Sequence, residues 1–477
     1  MKPNWTACPR MILLAAAVAA AFPAAGAMAE ATYVWGFDDD ASVARPQNGT
    51  VAIASDPVPA VGKGCLAVTP ERGKQMLIVL DVPAQVNPAE QASLACRLRL
   101  ADGVRNAKLR WFAVDGRNRV ILQRRVLPDE TGAWAEFILP LADWRWGNEY
   151  IGDWSEVRKL ALRVESATGT FHLDDLRFEG GTRGAASAVP DADWYLSMAF
   201  GKRERRIARE GDVLVATDAV GKLTKDDLAA VCARLGRIRK WVKRVFGDAC
   251  RPMLPGQPVV LLIFADEAGY RRFFESLGER WLATIAPPGA GGYTVQDISA
   301  STYSAEYGAD RPVWFHEGVH CAVTRELRLL TGVAEHSWLH EGLANYLQLC
   351  VYPQSMPRRD YVRNFRAGVG RRTFFRPLKD LLTRRATASR YAQLASVVAF
   401  LVEKHPKWLR SLAAGLADRE NVGDLLKACG TDFDELQAEW LTWGREHFAE
   451  DVAKGKEPRR HFALPPEFAT VEAGEPE

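Results

Sequence analysis

The chain has 477 residues, 48% of them hydrophobic, and its 62 basic residues nearly balance its 59 acidic ones. This length suits two or three domains with well-formed cores. A net charge of +3 gives no basis for a nucleic-acid partner or an anionic membrane surface.

The first 29 residues have the pattern of a secretory signal peptide. Lys2 and Arg10 precede an apolar stretch from Met11 to Phe22, and small residues follow Pro23. We therefore expect a secreted, periplasmic or cell-surface protein without stable membrane insertion. The alternative is an uncleaved anchor, but the apolar stretch is short for a membrane span.

Cysteine usage does not indicate a disulfide-stapled scaffold. One of the 8 cysteines, Cys8, lies in the signal segment, and the remaining number is odd, so at least one thiol lacks a partner within the chain. No Cys-x-x-Cys occurs, which argues against a thiolate zinc site. Disulfides Cys65–Cys96 and Cys321–Cys350 are conceivable, and the sequence does not decide between bonded and free thiols.

Residues 30–180 contain short strands separated by turns. Alternation in 108–114 is followed by an Asp115-Gly116 turn signal, and further runs lie at 135–139, 160–164 and 170–178. Short strands without helical periodicity between them predict an antiparallel β-sandwich.

The end of this region, from Trp154 to Phe178, resembles the last strands of galactose-binding-like and carbohydrate-binding jelly rolls, and Trp35-Gly36-Phe37 suits their first strand. The resemblance implies a cell-surface or extracellular glycan as a possible partner. Exposed tryptophans would be stacking platforms for sugars, whereas buried ones would be core residues; the candidates are Trp111, Trp134, Trp144, Trp146 and Trp154. An adaptor or spacer role is the alternative.

A small-residue linker at 181–193 separates this region from a second one at 194–450. The second region begins with a predicted strand at 212–217, an amphipathic helix at 226–246 and a buried strand at 258–264. A helix at 268–277 and an extended segment at 291–295 follow. From residue 451 onward the chain is polar and rich in proline, which predicts a disordered tail over 451–477.

The sequence His316-Glu317-Gly318-Val319-His320 places two imidazoles one helical turn apart on the same face of a helix predicted from about Pro312 to Leu330. Neutral imidazole is a good zinc ligand, and a neighbouring glutamate can take a proton from metal-bound water. The alternative is a surface helix with two solvated histidines.

A second motif, Trp338-Leu339-His340-Glu341-Gly342-Leu343-Ala344-Asn345-Tyr346, follows about twenty residues after His320. The two motifs together resemble the gluzincin arrangement, specifically the peptidase MA-like group of secreted metallohydrolases. The resemblance implies an α+β zincin-like metallopeptidase domain with a helical C-terminal part. It also implies Zn²⁺ bound by His316, His320 and Glu341.

The resemblance assigns two further roles. Glu317 would be the general base, and Tyr391 would hydrogen-bond the developing oxyanion, with Arg390 as an outside alternative. Asn345 stands where the group often has a carboxylate; its amide oxygen could accept a hydrogen bond from a zinc-bound imidazole, without charge. The extended segment at 291–295 would pair with substrate backbone, or be an ordinary strand.

His336 and His340 also lie near Glu341. Either could bind metal in its place, but His340 and Glu341 are neighbours on a helix, so both cannot face one ion. We expect these two histidines to be solvated loop or cap residues, or else to face substrate.

The sequence therefore predicts a secreted zinc metallopeptidase that hydrolyses peptide bonds in a peptide or protein substrate. No Gly-x-Met-Glu-Asn segment of the aminopeptidase relatives occurs, which favours an endopeptidase over an exopeptidase. The alternative is a surface glycan-binding or adaptor protein with a structural or inactive zinc site, but such a site has no use for Glu317.

Overall fold

A computed structural model describes residues 31–38, 44–101, 107–128, 132–147, 150–166, 169–180, 192–251, 258–287, 291–355, 376–447 and 462–469. The predicted signal peptide, linker residues 181–191 and most of the predicted tail lie outside these ranges. Within them, no helix combines the length and apolar content needed to cross a membrane.

The N-terminal region is a sandwich of two antiparallel sheets, as predicted. One sheet has the order β3-β4-β12-β6-β9, with β1 on β12, and the other has the order β10-β8-β7-β11-β5-β2. The strands are β1 (Ala31–Trp35), β2 (Ala44–Gln47), β3 (Gly49–Ala54), β4 (Cys65–Pro70), β5 (Met76–Asp81), β6 (Gln91–Leu100), β7 (Lys108–Asp115), β8 (Val120–Val126), β9 (Ala135–Pro140), β10 (Arg145–Trp146), β11 (Val157–Ser166) and β12 (Phe171–Gly180).

Four of the five candidate tryptophans lie in the core of the sandwich. Trp111, Trp144, Trp146 and Trp154 are all buried, at 0 to 7% exposure, so they are core residues and not platforms for sugar rings. Trp134 is half-buried, and its indole N–H donates to the Val58 carbonyl at 2.9 Å.

The C-terminal region is built on a five-stranded mixed sheet of order β13-β14-β15-β17-β16. β14, β15 and β17 run parallel, and β13 and β16 are antiparallel edge strands. The elements are α1 (Ala192–Phe200), β13 (Arg206–Glu210), β14 (Val213–Thr217), α2 (Lys225–Phe246), β15 (Val259–Phe264), α3 (Glu267–Arg280), β16 (Gly292–Val295), β17 (Ile298–Thr302), α4 (Pro312–Leu327), α5 (Ala334–Val351), α6 (Leu378–Thr383), α7 (Tyr391–Lys404), α8 (Pro406–Ala417), α9 (Val422–Ala428) and α10 (Phe433–His447).

Helix α2 forms one wall of the main core. It starts at a capping box in which the Thr224 hydroxyl accepts from the Asp227 N–H and the Asp227 carboxylate accepts from the Thr224 N–H. Its predicted apolar face is buried. Helix α4 lies close against it, because a Cβ on Gly318 would come within 2.2 Å of the Leu235 side chain. The glycine inside the His-Glu-x-x-His motif therefore permits this close packing.

The β16–β17 hairpin is fixed to the back of α4. Its turn residue Asp297 accepts hydrogen bonds from the buried Arg325 guanidinium and the Tyr195 hydroxyl. The thiol of Cys321 donates to the Asp297 carbonyl at 2.9 Å. These contacts hold the edge strand β16 in place beside α4.

No disulfide forms between Cys65 and Cys96 or between Cys321 and Cys350. Burial raises the pKa of the Cys65 thiol to about 11 and that of Cys96 to about 12. These thiols are therefore neutral core groups.

Helix α4 ends three residues earlier than the predicted Leu330. Arg328 adopts a left-handed conformation with φ of 54°, and its guanidinium pairs with Glu156 of the sandwich at 2.6 Å. The following Leu330 and Val333 are buried in the core cluster of the sandwich. The α4–α5 turn (residues 328–333) is thus part of the contact between the two domains.

One segment of the tail that was predicted to be disordered packs against the C-terminal domain. In the described segment 462–469, Phe462 and Phe468 are 4% and 3% exposed and pack into the core of the C-terminal domain. The prediction of disorder rested on the polar composition of the whole tail, which did not indicate that these two phenylalanines are buried.

Candidate metal centre

Helices α4 and α5 bring His316, His320 and Glu341 together, as the two motifs predicted. The Nε2 atoms of the two histidines are 3.1 Å apart. The Glu341 carboxylate lies 3.5 Å from His316 Nε2 through Oε2 and 3.7 Å from His320 Nε2 through Oε1. Three nitrogen and oxygen donors within 4.8 Å of one another could hold a metal ion.

The Nδ1 atoms of His316 and His320 differ in their surroundings. His316 Nδ1 lies 2.9 Å from Gln348 Oε1, so the amide oxygen accepts from the imidazole N–H. That bond leaves Nε2 of His316 as the lone-pair atom facing the cluster. His320 Nδ1 is buried and has no hydrogen-bond partner among the described residues.

Glu317 lies under the edge strand β16. It is 7% exposed, and its Oε2 accepts from the Thr294 hydroxyl at 2.6 Å. The Ser299 hydroxyl donates to the Glu317 carbonyl at 2.7 Å. A Cβ on Gly292 would lie 2.5 Å from Val313 and 3.0 Å from the Glu317 side chain, so a glycine lets the strand pass this close.

The charges at the cluster favour a cation. Burial opposes ionisation of Glu341, but the charges of His320 and His316 lower its pKa to about 2. Burial lowers the pKa of His320 to about 4. For His316, burial also lowers the pKa, but the charge of Glu341 raises it overall. The pKa of one imidazole is raised and that of the other is lowered, because the two Nε2 atoms are too close for both rings to be protonated there at once.

Burial raises the pKa of the Glu317 carboxyl to about 7. A carboxyl group in this range can both accept and release a proton near neutral pH. The arrangement can therefore bind a cation and place a proton acceptor beside it.

His336 and His340 are buried at 1% exposure, so the expectation of solvated loop or cap residues is wrong. His336 Nδ1 accepts from the Leu330 N–H, and its Nε2 donates to the Leu416 carbonyl at 2.9 Å. His340 Nε2 donates to the Leu329 carbonyl at 3.0 Å. Both rings hold backbone groups at the α4–α5 turn, whose polar atoms would otherwise be buried without partners.

The buried His336 predicts a pH effect on stability. Burial lowers its pKa from 6.5 to about 4, so between these values the unfolded chain binds a proton that the folded chain does not. Its contribution is present above pH 6.5 and is lost as the pH falls toward 4, by up to about 1.4 kcal/mol per pH unit. We expect His336→Gln to reduce the pH slope of the urea unfolding free energy by nearly one proton. Equal slopes in the two proteins would refute this assignment.

Asn345 does not act as predicted. Its amide N–H donates to the Glu341 carbonyl at 2.7 Å, one turn back on the same helix, and it makes no hydrogen bond to an imidazole. Gln348, two turns after Glu341 on the same face, occupies that role toward His316.

Tyr391 begins α7, as expected, and its ring centroid lies 6.2 Å from that of His316. Burial, together with the neighbouring carboxylate of Glu341, which accepts its hydrogen bond, raises the pKa of the Tyr391 hydroxyl above its usual range. The alternative, Arg390, lines an adjacent pocket and not the cleft that contains His316, His320 and Glu341.

The cluster opens into a cleft of about 410 Å³. Strand β16 forms one side through Gly292, Tyr293 and Thr294, and Arg385, Ala386 and Tyr391 form another. His316, Glu317, His320 and Glu341 all line it. The five site residues predicted from the sequence therefore meet at one cleft.

Sequence reasoning missed Gln348, Thr294 and Ser299. The seven-residue spacing from Glu341 to Gln348 places both on one helix face, and this signal was available in the sequence. Thr294 and Ser299 could not be found in the same way, because a strand pattern does not reveal which face of β16 and β17 meets α4.

No protein-family model matches the chain, and no curated protein matches it. Among solved structures, a family 11 carbohydrate-binding module from Clostridium thermocellum, solved with a β-1,3-1,4-mixed-linked tetrasaccharide, aligns at 10% identity and a TM-score of 0.27. It covers 33% of this chain and 98% of the module. The xylan-binding CBM22-1 domain of Paenibacillus barcinonensis Xyn10C aligns at 14% identity and a TM-score of 0.25, covering 33% and 97%. Scores this low add nothing to the β-sandwich that the strand order already shows.

Proposed function

We propose that this protein is a secreted zinc-dependent peptidase that cleaves internal peptide bonds. The observation that carries the proposal is the meeting of His316, His320 and Glu341 in one open cleft, with Glu317 beside them under an edge strand. Export is part of the proposal and rests on the signal-peptide pattern of residues 1–29.

The donor set fits zinc. Two imidazoles and one carboxylate are the protein ligands of many catalytic zinc sites, and a bond length of 2.0–2.1 Å gives a tetrahedral edge of about 3.3 Å. The observed separations of 3.1, 3.5 and 3.7 Å surround that value. The buried Glu341 Oε2 makes no hydrogen bond among the described residues, which leaves a lone pair for an ion. When bound, zinc supplies Lewis-acid polarisation of the scissile carbonyl and makes water more acidic.

The protein's own groups would then divide the remaining work. Glu317 takes a proton from the attacking water molecule and passes it to the leaving amine. Thr294 holds the Glu317 carboxylate through the 2.6 Å bond to Oε2, and Gln348 holds the ring of His316. Strand β16 is the last strand of its sheet, so its outer edge is available to pair with the substrate backbone.

The direct test is cleavage of an unbiased set of peptides by the protein after zinc loading, with and without a chelator. Chelator-sensitive cleavage at internal bonds that zinc restores would support the proposal. Absence of cleavage in the zinc-loaded protein, or cleavage unaffected by removal of all metal, would overturn it.

Tyr391 is proposed as a donor to the oxyanion. Tyr391→Phe keeps the ring beside His316 but removes the hydroxyl, and loss of one such donor lowers kcat by about 10²-fold. KM and the zinc content should change little. An unchanged kcat would assign Tyr391 to helix packing, and a lost zinc site would assign it to the support of Glu341.

A second candidate function is glycan binding by the sandwich, favoured by an open cleft of about 1,140 Å³ on the outer face of the sheet that contains β7 and β11. Phe112 and Tyr150 line this cleft, each with an arginine over its ring, Arg163 at 4.8 Å and Arg119 at 5.1 Å. Phe112 is buried at 8% exposure, like the tryptophans, so the half-buried ring of Tyr150 is the one that a sugar could reach. Glycan-array binding that Tyr150→Ala abolishes would support this function; binding to no glycan would remove it.

A further inference from the structure

A pocket rich in arginine adjoins the cleft at the metal cluster. We call it the arginine pocket; it has a volume of about 210 Å³ and its charged lining residues are Arg376, Asp380, Arg384, Arg385 and Arg390. Arg385 and Ala386 line both the arginine pocket and the cleft. A molecule bound in the cleft can therefore extend into the arginine pocket.

The charges in the arginine pocket do not balance. Of the four arginines that line it, Arg376 and Arg385 form no ion pair with a carboxylate among the described residues. Asp380 pairs with Arg384 at 3.2 Å. Burial lowers the pKa of the Arg390 guanidinium, and repulsion from the charge of Arg376 lowers it further. Such repulsion is relieved when an anion binds.

Buried side chains hold the backbone on both sides of the arginine pocket. The buried Ser337 hydroxyl accepts from the Ala386 N–H at 2.8 Å, directly after Arg385. The Gln393 amide, 1% exposed, accepts from the Arg376 N–H at 3.3 Å and donates to its carbonyl at 2.7 Å. The positions of Arg376 and Arg385 are therefore set by helices α5 and α7.

The cleft that contains the candidate metal ligands has two acidic residues and one arginine in its described lining. Glu317 and Glu341 lie at the metal cluster, and Arg385 is the only lysine or arginine among the described lining residues. Arg385 and Tyr293 on β16 line the same cleft, and the charge of Arg385 lowers the pKa of Tyr293, which burial raises. A substrate segment along β16 would pass within reach of Arg385.

We propose that the arginine pocket binds a carboxylate of the substrate, so that this protein selects acidic peptides. The inference rests on the proposed function in taking the occupant of the cleft to be a peptide. The volume is several times the ~30 Å³ share of one water molecule, which is enough for a carboxylate side chain. Arginine is suited to this task because its planar fork donates two hydrogen bonds to one carboxylate.

The test measures binding apart from cleavage. Fluorescent peptides with an amidated C-terminus, identical except for one glutamate or glutamine moved through each position, are titrated onto Glu317→Gln protein. At the favoured position we expect the glutamate peptide to bind about tenfold more tightly at low salt, with the difference falling as salt rises. Arg385→Gln combined with Arg376→Gln should abolish the difference. Arg271→Gln, which removes one exposed charge on α3, should preserve it.

Two further measurements distinguish the possible results of this experiment. Peptides with a free C-terminal carboxylate and no internal acid show whether the bound group is a side chain or a chain end. Equal binding of acidic and neutral peptides, or a preference that survives loss of both arginines, would overturn the inference. If Arg385-dependent binding occurs but the wild-type protein cleaves nothing, the proposed hydrolysis fails and the arginine pocket stands.

Discussion

Replacing Glu317 with glutamine should lower kcat/KM for peptide cleavage by at least about 10²-fold while leaving the zinc content unchanged. Glutamine keeps the shape of the side chain, and its amide oxygen can still accept the hydrogen bond from Thr294 that now measures 2.6 Å. What it cannot do is accept a proton from water. Glu317 is 7% exposed and lies under β16. Among the described residues that line the cleft, the only other carboxylate is Glu341, which already faces the two histidines.

A matched control is available on helix α5. Glu335 is an exposed glutamate that pairs only loosely with Arg419, at 3.5 Å, so Glu335→Gln changes the same chemical group away from the cleft. Full activity of Glu335→Gln beside strongly reduced activity of Glu317→Gln is the expected pair of results. A fully active Glu317→Gln protein would remove the proposed base and, with it, the proposed mechanism.

The second large effect concerns the metal. His320→Ala removes one of three donors, and we expect the purified protein to fall from about one zinc equivalent to below about 0.1 after dialysis. Because an ion that binds only the folded state stabilises it, excess zinc should raise the Tm of wild type and not that of the variant. Metal analysis and thermal unfolding measure these effects without any assay of activity.

The control for this experiment is His405→Ala. His405 stacks on Trp408 and pairs with Glu439 at 2.8 Å, and it lines neither the cleft nor the arginine pocket. It should keep wild-type zinc content. Zinc in neither wild type nor variant would leave the cluster without its proposed occupant, and equal zinc in both would place the ion elsewhere.

Local patterns were sufficient for the elements that carry the site. The spacing in His316–His320 fixes two side chains on one helix face, and the apolar period of α2 identifies its buried side from Leu228 to Val245. The second motif located Glu341 because helix α5 is itself a regular element. These predictions depend on neighbours within a few residues along the chain, which is the range that sequence patterns describe.

Contacts between elements were not predictable in this way. His340 was expected in solvent, yet it is buried because its ring satisfies the Leu329 carbonyl at a turn that the sequence placed too late. Gln348, which the sequence analysis did not consider, contacts His316 in place of Asn345, because the rotation of α5 against α4 decides which amide reaches the imidazole. Phe462 contacts Tyr346 and Phe468 contacts Phe315, each more than a hundred positions earlier, and no local pattern contains that information.

The α4–α5 turn has a consequence for how this protein can be divided. Leu330 and Val333 insert into the sandwich. The same turn connects α4, which carries His316 and His320, to α5, which carries Glu341. A truncated protein that starts at α1 would expose both side chains, at a cost of about 1.5–3 kcal/mol each. The sandwich therefore supports the turn between the two helices of the candidate metal centre, and domain-swapped chimaeras must retain the surface that receives Leu330 and Val333.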